Sequence, residues 1–521
     1  MASPRAATNR LRTPLRRGAG IASATVGAGD ATPSRRATRH RTAAWTGILA
    51  AALGGVLGGC AAVPAPSQAA RPELPEAFAP PLGSSSSNGV SQSWWSQLQD
   101  PQLDALVARA LAANRDLQVA TARIAEARAL AAAADSRVRP QLSLGGHLTR
   151  DRQSLNGRFG PLAPNPVNER GFGLDAAWEP DPFGAIARRR DAAHAEVQAT
   201  AARRGAVAVG VAGEVATTYI ELRAAQMLQA TLRELLDAAR AAEGLVAARE
   251  QAGLASALDR LRAAEQVSLT AAALPLARQR EETAVRRLGV LVGGHAQSLL
   301  ASLGAPAPLP PALPPIPAAV PAELLDRRPD LLAAESRWRA ARARLAAAEA
   351  DRLPRFSLGG ALGLLSISQG KVFDASSAAW NLSAALRAPL YAPELDAAID
   401  AERARAERAA VAYEAAAFRA MLDVEEAAVR LHRAQEHESQ LGAALAADVE
   451  ALRLARIRYE RGLTDFLAVL DVVRSRAQVE QQWVDARARV FIAFVALNEA
   501  LGGGFDPADW DPAAADAAGG G

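Results

Sequence analysis

Histidine, methionine and cysteine, which often serve in catalysis or metal binding, are few in this sequence. The chain has six histidines, three methionines and a single cysteine, which leaves no material for a disulfide framework or a thiolate metal cluster. His432 and His437 are five positions apart, a spacing that does not place two side chains on one face of a helix. The sequence contains neither a G-x-S-x-G nor an H-E-x-x-H motif. We therefore expect no enzyme activity, no metal site and no cofactor.

The single cysteine, Cys60, stands in the motif of a lipid-attachment site. It follows an arginine-rich stretch and an apolar run from Ala43 to Leu57, which is shorter than the roughly 20 residues that span a bilayer. A basic flank, a short apolar segment and small residues before a cut describe an export signal. Because Leu57-Gly58-Gly59-Cys60 matches the bacterial lipobox, we predict that residues 1–59 are removed and that the Cys60 thiol is lipidated. The alternative is a buried structural cysteine.

The basic character of the chain is confined to this leader. Residues 1–59 contain nine arginines and one acid, a charge of +8, so the rest of the chain carries −4 of the net +4. Binding of nucleic acid through net charge is therefore not expected. The remainder is rich in alanine, and only 4% of all residues are aromatic. Such a composition suits long, closely packed helices rather than several thick globular cores.

The chain contains an internal duplication. Asp116-Leu117 recurs 214 positions later as Asp330-Leu331, and Gly253-Leu254 faces Gly462-Leu463 at a displacement of 209. We infer two similar halves, each with a helix, two strands and two very long helices separated by a glycine-containing turn. The predicted helices are 98–136, 184–250 and 256–290 in the first half, and 322–351, 394–460 and 466–501 in the second.

The predicted strands alternate apolar with polar residues. Residues 171–179 place Phe172 and Leu174 on one face and Asp175 and Glu179 on the other. Period two predicts a strand, and apolar-outside, polar-inside strands are typical of a membrane β-barrel, with two soluble hairpins as the alternative. The other strands repeat the pattern with Leu142, Leu144, Gly146 and Leu148, with Phe356, Leu358, Gly360 and Leu362, and with Trp380, Leu382, Ala384 and Leu386.

Four strands are too few to close a barrel, which takes about eight. An open edge inside lipid would leave backbone groups unpaired at several kcal/mol each. If these strands enter a bilayer, several chains must therefore contribute to one barrel.

Several motifs, in their order and spacing, resemble those of the TolC-type outer-membrane channel family, specifically the lipoprotein subfamily that serves tripartite efflux systems. They are Trp94-Trp95, Asp100-Pro101-Gln102-Leu103, Asn114-Arg115-Asp116-Leu117, Trp178-Glu179-Pro180-Asp181-Pro182-Phe183-Gly184, Arg327-Arg328-Pro329-Asp330-Leu331 and Tyr459-Glu460-Arg461-Gly462-Leu463-Thr464-Asp465-Phe466-Leu467. The resemblance implies a mainly α-helical, internally duplicated fold with a membrane β-barrel. Each protomer would supply four β-strands to the twelve-stranded barrel of a homotrimer, above a long α-helical barrel.

The repeat and the resemblance together predict six segments. They are a lipoprotein signal peptide (1–59), the lipidated Cys60 with an extended tether (60–97), a first structural repeat (98–292), a proline-rich equatorial segment (293–321), a second structural repeat (322–502) and a C-terminal tail (503–521).

The resemblance also implies a passive exit duct for drugs or other small toxic compounds. It would be anchored in outer-membrane lipid and extend into the periplasm, and Ala61, in place of an aspartate after Cys60, suggests sorting to the outer membrane. Its partners would be a periplasmic adaptor and an inner-membrane pump. Two other functions stay open: an exit channel for type I protein secretion, and a lipoprotein coiled-coil adaptor or scaffold.

The residues of a periplasmic gate can be carried over by position. Asp471 matches an aspartate of the family's constriction and Tyr459 matches the gate tyrosine, whereas a second gate aspartate falls on Ala468. A ring of equivalent carboxylates near an axis repels anions and attracts cations. The turns between the long helices are the expected adaptor contacts, through Gly253, Ser256, Gly462, Leu463 and Thr464.

Overall fold

The computed structural model of this chain describes residues 72–79, 92–152, 154, 156, 166–310, 312–316 and 319–505. The predicted signal peptide and the predicted lipid site at Cys60 lie outside these residues, as do most of the predicted tether and of the C-terminal tail.

Within the described ranges, the helices and strands occur in the same order in both halves of the chain. They are α1 (Pro101–Ala113), α2 (Arg115–Ser136), β1 (Gln141–Asp151), β2 (Val167–Trp178), α3 (Ala185–Gln251), α4 (Ala257–Leu291), α5 (Gln297–Leu303), α6 (Leu324–Arg327), α7 (Pro329–Ala350), β3 (Arg355–Ser366), β4 (Ala378–Arg387), α8 (Pro393–Glu460) and α9 (Phe466–Ala500). Short 3-10 turns lie at Trp94–Leu98, Pro321–Glu323 and Ala375–Ser377.

Four long helices account for most of the fold. α3 and α8 have 67 and 68 residues, about 100 Å at 1.5 Å per residue, and their ends lie within one residue of the predicted ones. Alanine, arginine, glutamate and leucine are strong helix formers, and exposed pairs such as Arg453–Glu450 add local support. Among the described residues, no helix is both long enough and apolar enough to cross a membrane.

The first helix of each half, predicted as continuous, is instead interrupted. In the first half, Asn114 has extended backbone angles, and its side-chain oxygen accepts hydrogen bonds from the backbone N–H groups of Asp116 (2.9 Å) and Leu117 (3.2 Å). It therefore ends α1 and caps α2. In the second half the break falls at Arg328, because the following Pro329 disfavours helical angles at the preceding residue.

The residue at each break is hydrogen-bonded to the C-terminal end of the last long helix in its own half of the chain. The side-chain nitrogen of Asn114 donates to the carbonyl of Leu291 at 3.0 Å, where α4 ends. Arg328 donates to the carbonyl of Ala500 at 3.0 Å, where α9 ends. The two donors are 214 positions apart and the two acceptors 209, the displacements found in the sequence. The duplicated halves thus make the same long-range contact, once with an amide and once with a guanidinium.

The strands form one antiparallel sheet in the order β1-β2-β3-β4. Leu174 pairs in register with Leu144 and with Leu362, so even-numbered residues of the strands share one face, the apolar face, and odd-numbered residues share the opposite polar face. Large apolar side chains are exposed on the apolar face, at Leu142, Leu144, Leu148, Phe172, Leu174, Trp178, Leu358, Leu362, Trp380, Leu382 and Leu386. The outer edges of β1 and β4 have no strand partner in the described part of the chain.

A buried polar network joins α3 to the proline-rich segment and to the start of α1. Arg223 has no exposed surface and donates to the carbonyl of Ala305 (2.9 Å) and to the side chain of Gln102. Tyr219 donates to the carboxylate of Asp100 at 2.5 Å. Burial and this hydrogen bond raise the pKa of Tyr219 to about 12, so the hydroxyl stays protonated and the bond persists at neutral pH.

Candidate functional site

The predicted turns lie at the far ends of the long helices, and we call them the helix tips: residues 252–256 between α3 and α4, and residues 461–465 between α8 and α9. Gly253 and Gly462 have φ values of +74° and +71°, which glycine adopts at little cost. In each turn the residue after the glycine donates its backbone N–H to a carbonyl five positions earlier, at 2.7 and 2.9 Å. This is the Schellman pattern, so the two tips have the same backbone design.

Side-chain caps then start the returning helices. The hydroxyl of Ser256 accepts from the backbone N–H of Asp259 (3.1 Å), and the Asp259 carboxylate accepts from the backbone N–H of Ser256 (3.2 Å). In the other tip the Asp465 carboxylate lies 3.2 Å from a backbone nitrogen in the first turn of α9. Capping of this kind stabilises a helix start by about 1 kcal/mol. The role of Ser256 within the chain is therefore to shape the turn.

Each tip exposes one large apolar side chain. Leu463 is 64% exposed, and Leu254, at the equivalent position of the other tip, is 76% exposed. Thr464 is half-buried. Leu254 was not among the predicted contacts, although its position after a turn glycine, like that of Leu463, was the available signal. Together the leucines give each tip one projecting apolar side chain.

Tyr459 lies in a small core inside the tips. Its ring centroid is 5.7 Å from that of Phe466, and the side chain is almost completely buried. The core is formed by Val246, Ala263, Leu452, Tyr459, Phe466, Val469 and Leu470. Because these residues come from α3, α4, α8 and α9, the tyrosine ring helps to hold the two tips together.

Arg249 is a second connection between the tips, and sequence reasoning missed it. Its guanidinium lies 4.2 Å from the centre of the Tyr459 ring and donates to the carbonyls of Tyr459 and Glu460, both at 3.1 Å. The donor comes from the last turn of α3 and the acceptors from the last turn of α8. Carbonyls at a helix C-terminus carry partial negative charge, so the cation links the ends of two helices.

Asp471, unlike Tyr459, lies at the surface of the protomer. It is exposed, and it has no hydrogen-bond or ion-pair partner among the residues that the structure describes. Arg474, on the same helix, is already paired with Glu265 (3.1 Å) and Gln266 (3.1 Å) of α4. The carboxylate of Asp471 is thus available to solvent or to another molecule, while Tyr459 is engaged within the protomer.

A titratable group near neutral pH lies far along α9 from the tips. The Glu499 carboxylate packs against Gly213, where any side chain would collide with it. Burial and the neighbouring Glu214 raise the pKa of Glu499 to about 7. No group of three or more His, Cys, Asp or Glu side chains in the described ranges is arranged to hold a metal ion.

Comparison with known proteins identifies the architecture. The family model for outer membrane efflux proteins matches residues 106–294 and 320–503. The pyoverdine export outer membrane protein OpmQ of Pseudomonas putida is 32% identical over 440 residues, covering 83% of this chain and 92% of OpmQ. The outer membrane protein OprJ of Pseudomonas aeruginosa is 31% identical over 417 residues, covering 79% of this chain and 86% of OprJ.

The solved structure of the outer-membrane channel OprN has the same fold. It superposes with a TM-score of 0.78 at 29% identity and covers 86% of this chain and all of that one. The predicted fold class and family resemblance are thereby confirmed. The two family segments follow the two halves of the duplication, each ending just beyond its second long helix. The chain belongs to the outer membrane efflux protein family.

Proposed function

We propose that this chain is the outer-membrane exit duct of a tripartite efflux system, through which drugs or other small toxic compounds leave the cell envelope. Relatives support the assignment by name, among them the toluene efflux pump outer membrane protein TtgI and the antibiotic efflux pump outer membrane protein ArpC of Pseudomonas putida. An inner-membrane pump supplies the energy and a periplasmic adaptor joins it to the duct. The duct itself is not an enzyme and uses no cofactor.

The observation that carries this proposal is the exposed apolar face of the sheet. Trp380 and Leu382 are 79% and 81% exposed in the protomer, although burial of a large apolar side chain is worth about 1.5–3 kcal/mol. Contiguous apolar patches of more than a few hundred Å² are rare on soluble proteins. Lipid acyl chains cover such a face without cost, whereas a periplasmic coiled-coil scaffold would leave it exposed to water.

Three chains complete the barrel. One protomer supplies four strands with free edges at β1 and β4, and membrane barrels have an even number of strands, eight or more. A homotrimer pairs each β1 with the β4 of a neighbour and closes twelve strands. The apolar face then contacts lipid and the polar face lines the pore. The long helices continue the tube as an α-helical barrel into the periplasm.

We assign the helix tips to the periplasmic gate. Three copies of Asp471 around the axis form the constriction, because the carboxylate is exposed and unengaged within the described protomer. Tyr459 and Arg249 hold each protomer's tips together. The adaptor docks on the tip surface around Gly253, Ser256, Gly462, Leu463 and Thr464, where Leu254 and Leu463 offer apolar side chains.

The N-terminus adds a second membrane attachment. The lipobox that ends at Cys60 supports removal of residues 1–59 and acylation of the cysteine, and more than one acyl chain gives stable anchoring. Metabolic labelling with radioactive palmitate tests this: the wild-type chain should be labelled and Cys60→Ala should not. Labelling of the variant would refute the assignment.

A pair of adjacent substitutions tests the membrane-facing sheet. Leu382→Arg puts a charge on the apolar face, which costs about 2–4 kcal/mol near the middle of a bilayer. Asn381→Arg puts the same charge on the polar face and is the matched control. We expect the control to fractionate with the outer membrane as a heat-modifiable trimer and the Leu382 variant to be lost from that fraction. Equal behaviour of the two variants would contradict the proposed barrel.

Function is tested in cells that lack their own outer-membrane factor and carry the cognate adaptor and pump. Expression of this chain should restore drug resistance, and purified protein should give pore currents. Restoration of protein secretion without restored drug resistance would instead establish the type I secretion role.

A further inference from the structure

A cavity of about 530 Å³ lies where the strands meet the helices. Its walls come from the link between α2 and β1, the end of β2, the start of α3 and the start of β3. Four arginines contribute to the lining: Arg137, Arg139, Arg189 and Arg355. The volume falls in the range of small-molecule sites, about 300–1,000 Å³.

The cavity lies at the end of the sheet next to the helices and takes residues from both faces of the sheet. Gln141, Ala177 and Ser357 line it from the polar face, and Trp178 and Leu358 line it from the apolar face. In the trimeric duct of the proposed function, on which this inference rests, this end of the sheet is the junction between the β-barrel and the helical tube.

Positive charge in the cavity exceeds the available carboxylates. Arg189 and Arg355 share one acid, Asp351, at 2.5 and 2.7 Å. The side chains of Arg137 and Arg139 are exposed and make no hydrogen bond or ion pair with any part of the chain that the structure describes. Of the lining residues, Glu179 alone is acidic, so the lining carries more positive than negative charge.

A neighbouring strand adds to this excess. Arg355 pairs in register with Arg387 of β4. Like charges directly opposite each other on neighbouring strands are destabilising, and an anion placed nearby relieves that repulsion.

The backbone that carries the two unpaired arginines is hydrogen-bonded to Trp178. The indole nitrogen of Trp178 donates to the carbonyl of Val138 at 2.9 Å, which fixes the backbone between Arg137 and Arg139. Ile186 and Leu358 add apolar surface to the same cavity. The site thus combines guanidinium groups with a flat apolar wall.

We propose that this cavity is a binding site for organic anions, compounds in which a carboxylate, sulfonate or phosphate is attached to an aromatic or aliphatic body. Guanidinium groups bind such oxyanions with paired, charge-assisted hydrogen bonds. The apolar wall contacts the body of the compound. Three copies of the site form a basic zone where the helical tube meets the strands.

Binding of naphthalene-1-sulfonate to the purified full-length trimer in non-ionic detergent tests the site, with the uncharged 1-naphthylmethanol as the comparison ligand. The test variant is Arg137→Gln/Arg139→Gln, since both side chains are exposed and unpaired in the described protomer. The matched control is Arg408→Gln/Arg419→Gln, two exposed arginines of α8 without side-chain partners in the described ranges.

We expect isothermal titration to show sulfonate binding that weakens at least about tenfold in the test variant and is unchanged in the control, with binding of the alcohol unaffected. Equal sulfonate affinity in test variant and wild type would overturn the proposal. So would equal losses for both ligands, because the site would then recognise only the apolar body. Phosphatidylglycerol retained by the wild type and lost from the test variant in native mass spectrometry would assign the arginines to lipid headgroups instead.

Pore currents from the same preparations separate the two proposals. Currents without sulfonate binding reject the anion site alone. Sulfonate binding without currents rejects the duct and leaves the site as a binding pocket.

Discussion

Arg249→Met should loosen the helix tips, because it removes the cation that links the ends of α3 and α8. Methionine keeps the length and apolar stem of the side chain, so the packing beside Tyr459 is largely preserved. The lost interactions are two hydrogen bonds of 3.1 Å and the contact of the guanidinium with the tyrosine ring at 4.2 Å.

The size of the effect follows from these contacts. Each hydrogen bond contributes about 1 kcal/mol at this partly exposed site, and the cation–π contact about 0.5–1 kcal/mol. Their sum of about 2–3 kcal/mol corresponds to a shift of roughly 30- to 150-fold in the equilibrium between joined and separated tips. The control is Arg458→Met, which removes the same charge from an exposed arginine in the last turn of α8. Because Arg458 has no side-chain partner among the described residues, this change should have little effect.

Two assays measure this shift. Amide hydrogen exchange at the C-terminal turns of α3 and α8 should accelerate in the Arg249 variant by about the calculated factor, and single-channel recordings should show more frequent or longer openings. Unchanged exchange at both helix ends, or equal acceleration in the Arg458 variant, would refute the view that Arg249 joins the tips.

Three further predictions follow from other residues. Asp471→Ala should raise single-channel conductance or antibiotic leak, since it would remove the carboxylate ring that we propose at the constriction; unchanged conductance excludes a gating role. Gly462→Ala should destabilise its tip by about 1–2 kcal/mol through the positive φ alone, because the added methyl group meets no neighbour. The control Gly244→Ala, inside α3, should stabilise the chain by about 1 kcal/mol. Denaturation midpoints that shift in the same direction in both variants would contradict this. Because the pKa of Glu499 is raised from 4.5 to about 7, the folded chain binds this proton more tightly than the unfolded chain does. The Glu499 side chain therefore lowers the free energy of unfolding as the pH rises from about 4.5 to about 7. Glu499→Gln should therefore raise the melting temperature at pH 8 and have a smaller effect at pH 5, and an equal change at both pH values would show that the Glu499 carboxylate does not titrate in this range.

Much of the fold was predictable because local patterns are strong in this chain. The long helices are rich in alanine, arginine and glutamate, so their ends at Gly253 and Gly462 could be placed from the turn glycines. The strands were predictable from alternation with period two, which also indicated the exposed apolar face. The breaks at Asn114 and Arg328 were missed because each is a capping or pre-proline effect within an otherwise helical pattern.

The geometry of the helix tips was predictable in part. Positions in the tip turns follow from sequence order, so Ser256, Leu463 and Thr464 could be named in advance. Arg249 could not, because it is one of many arginines on α3 and its acceptors are main-chain carbonyls 210 and 211 positions away. Every residue has a main-chain carbonyl, so the residue type does not reveal which carbonyls accept a side-chain hydrogen bond.

The sequence by itself determined the duplicated order of elements, the period of each element and the shortage of strands that requires several chains for one barrel, since these depend on neighbours along the chain. Only the tertiary structure decided which arginines are buried, paired or free. Arg223 in the core, Arg249 at the tips and Arg137 at the sheet have the same side chain, and their roles differ because the nearest carbonyls and carboxylates come from distant segments. Coulombic and hydrogen-bond energies fall steeply with distance, so only the folded arrangement gives each arginine its function.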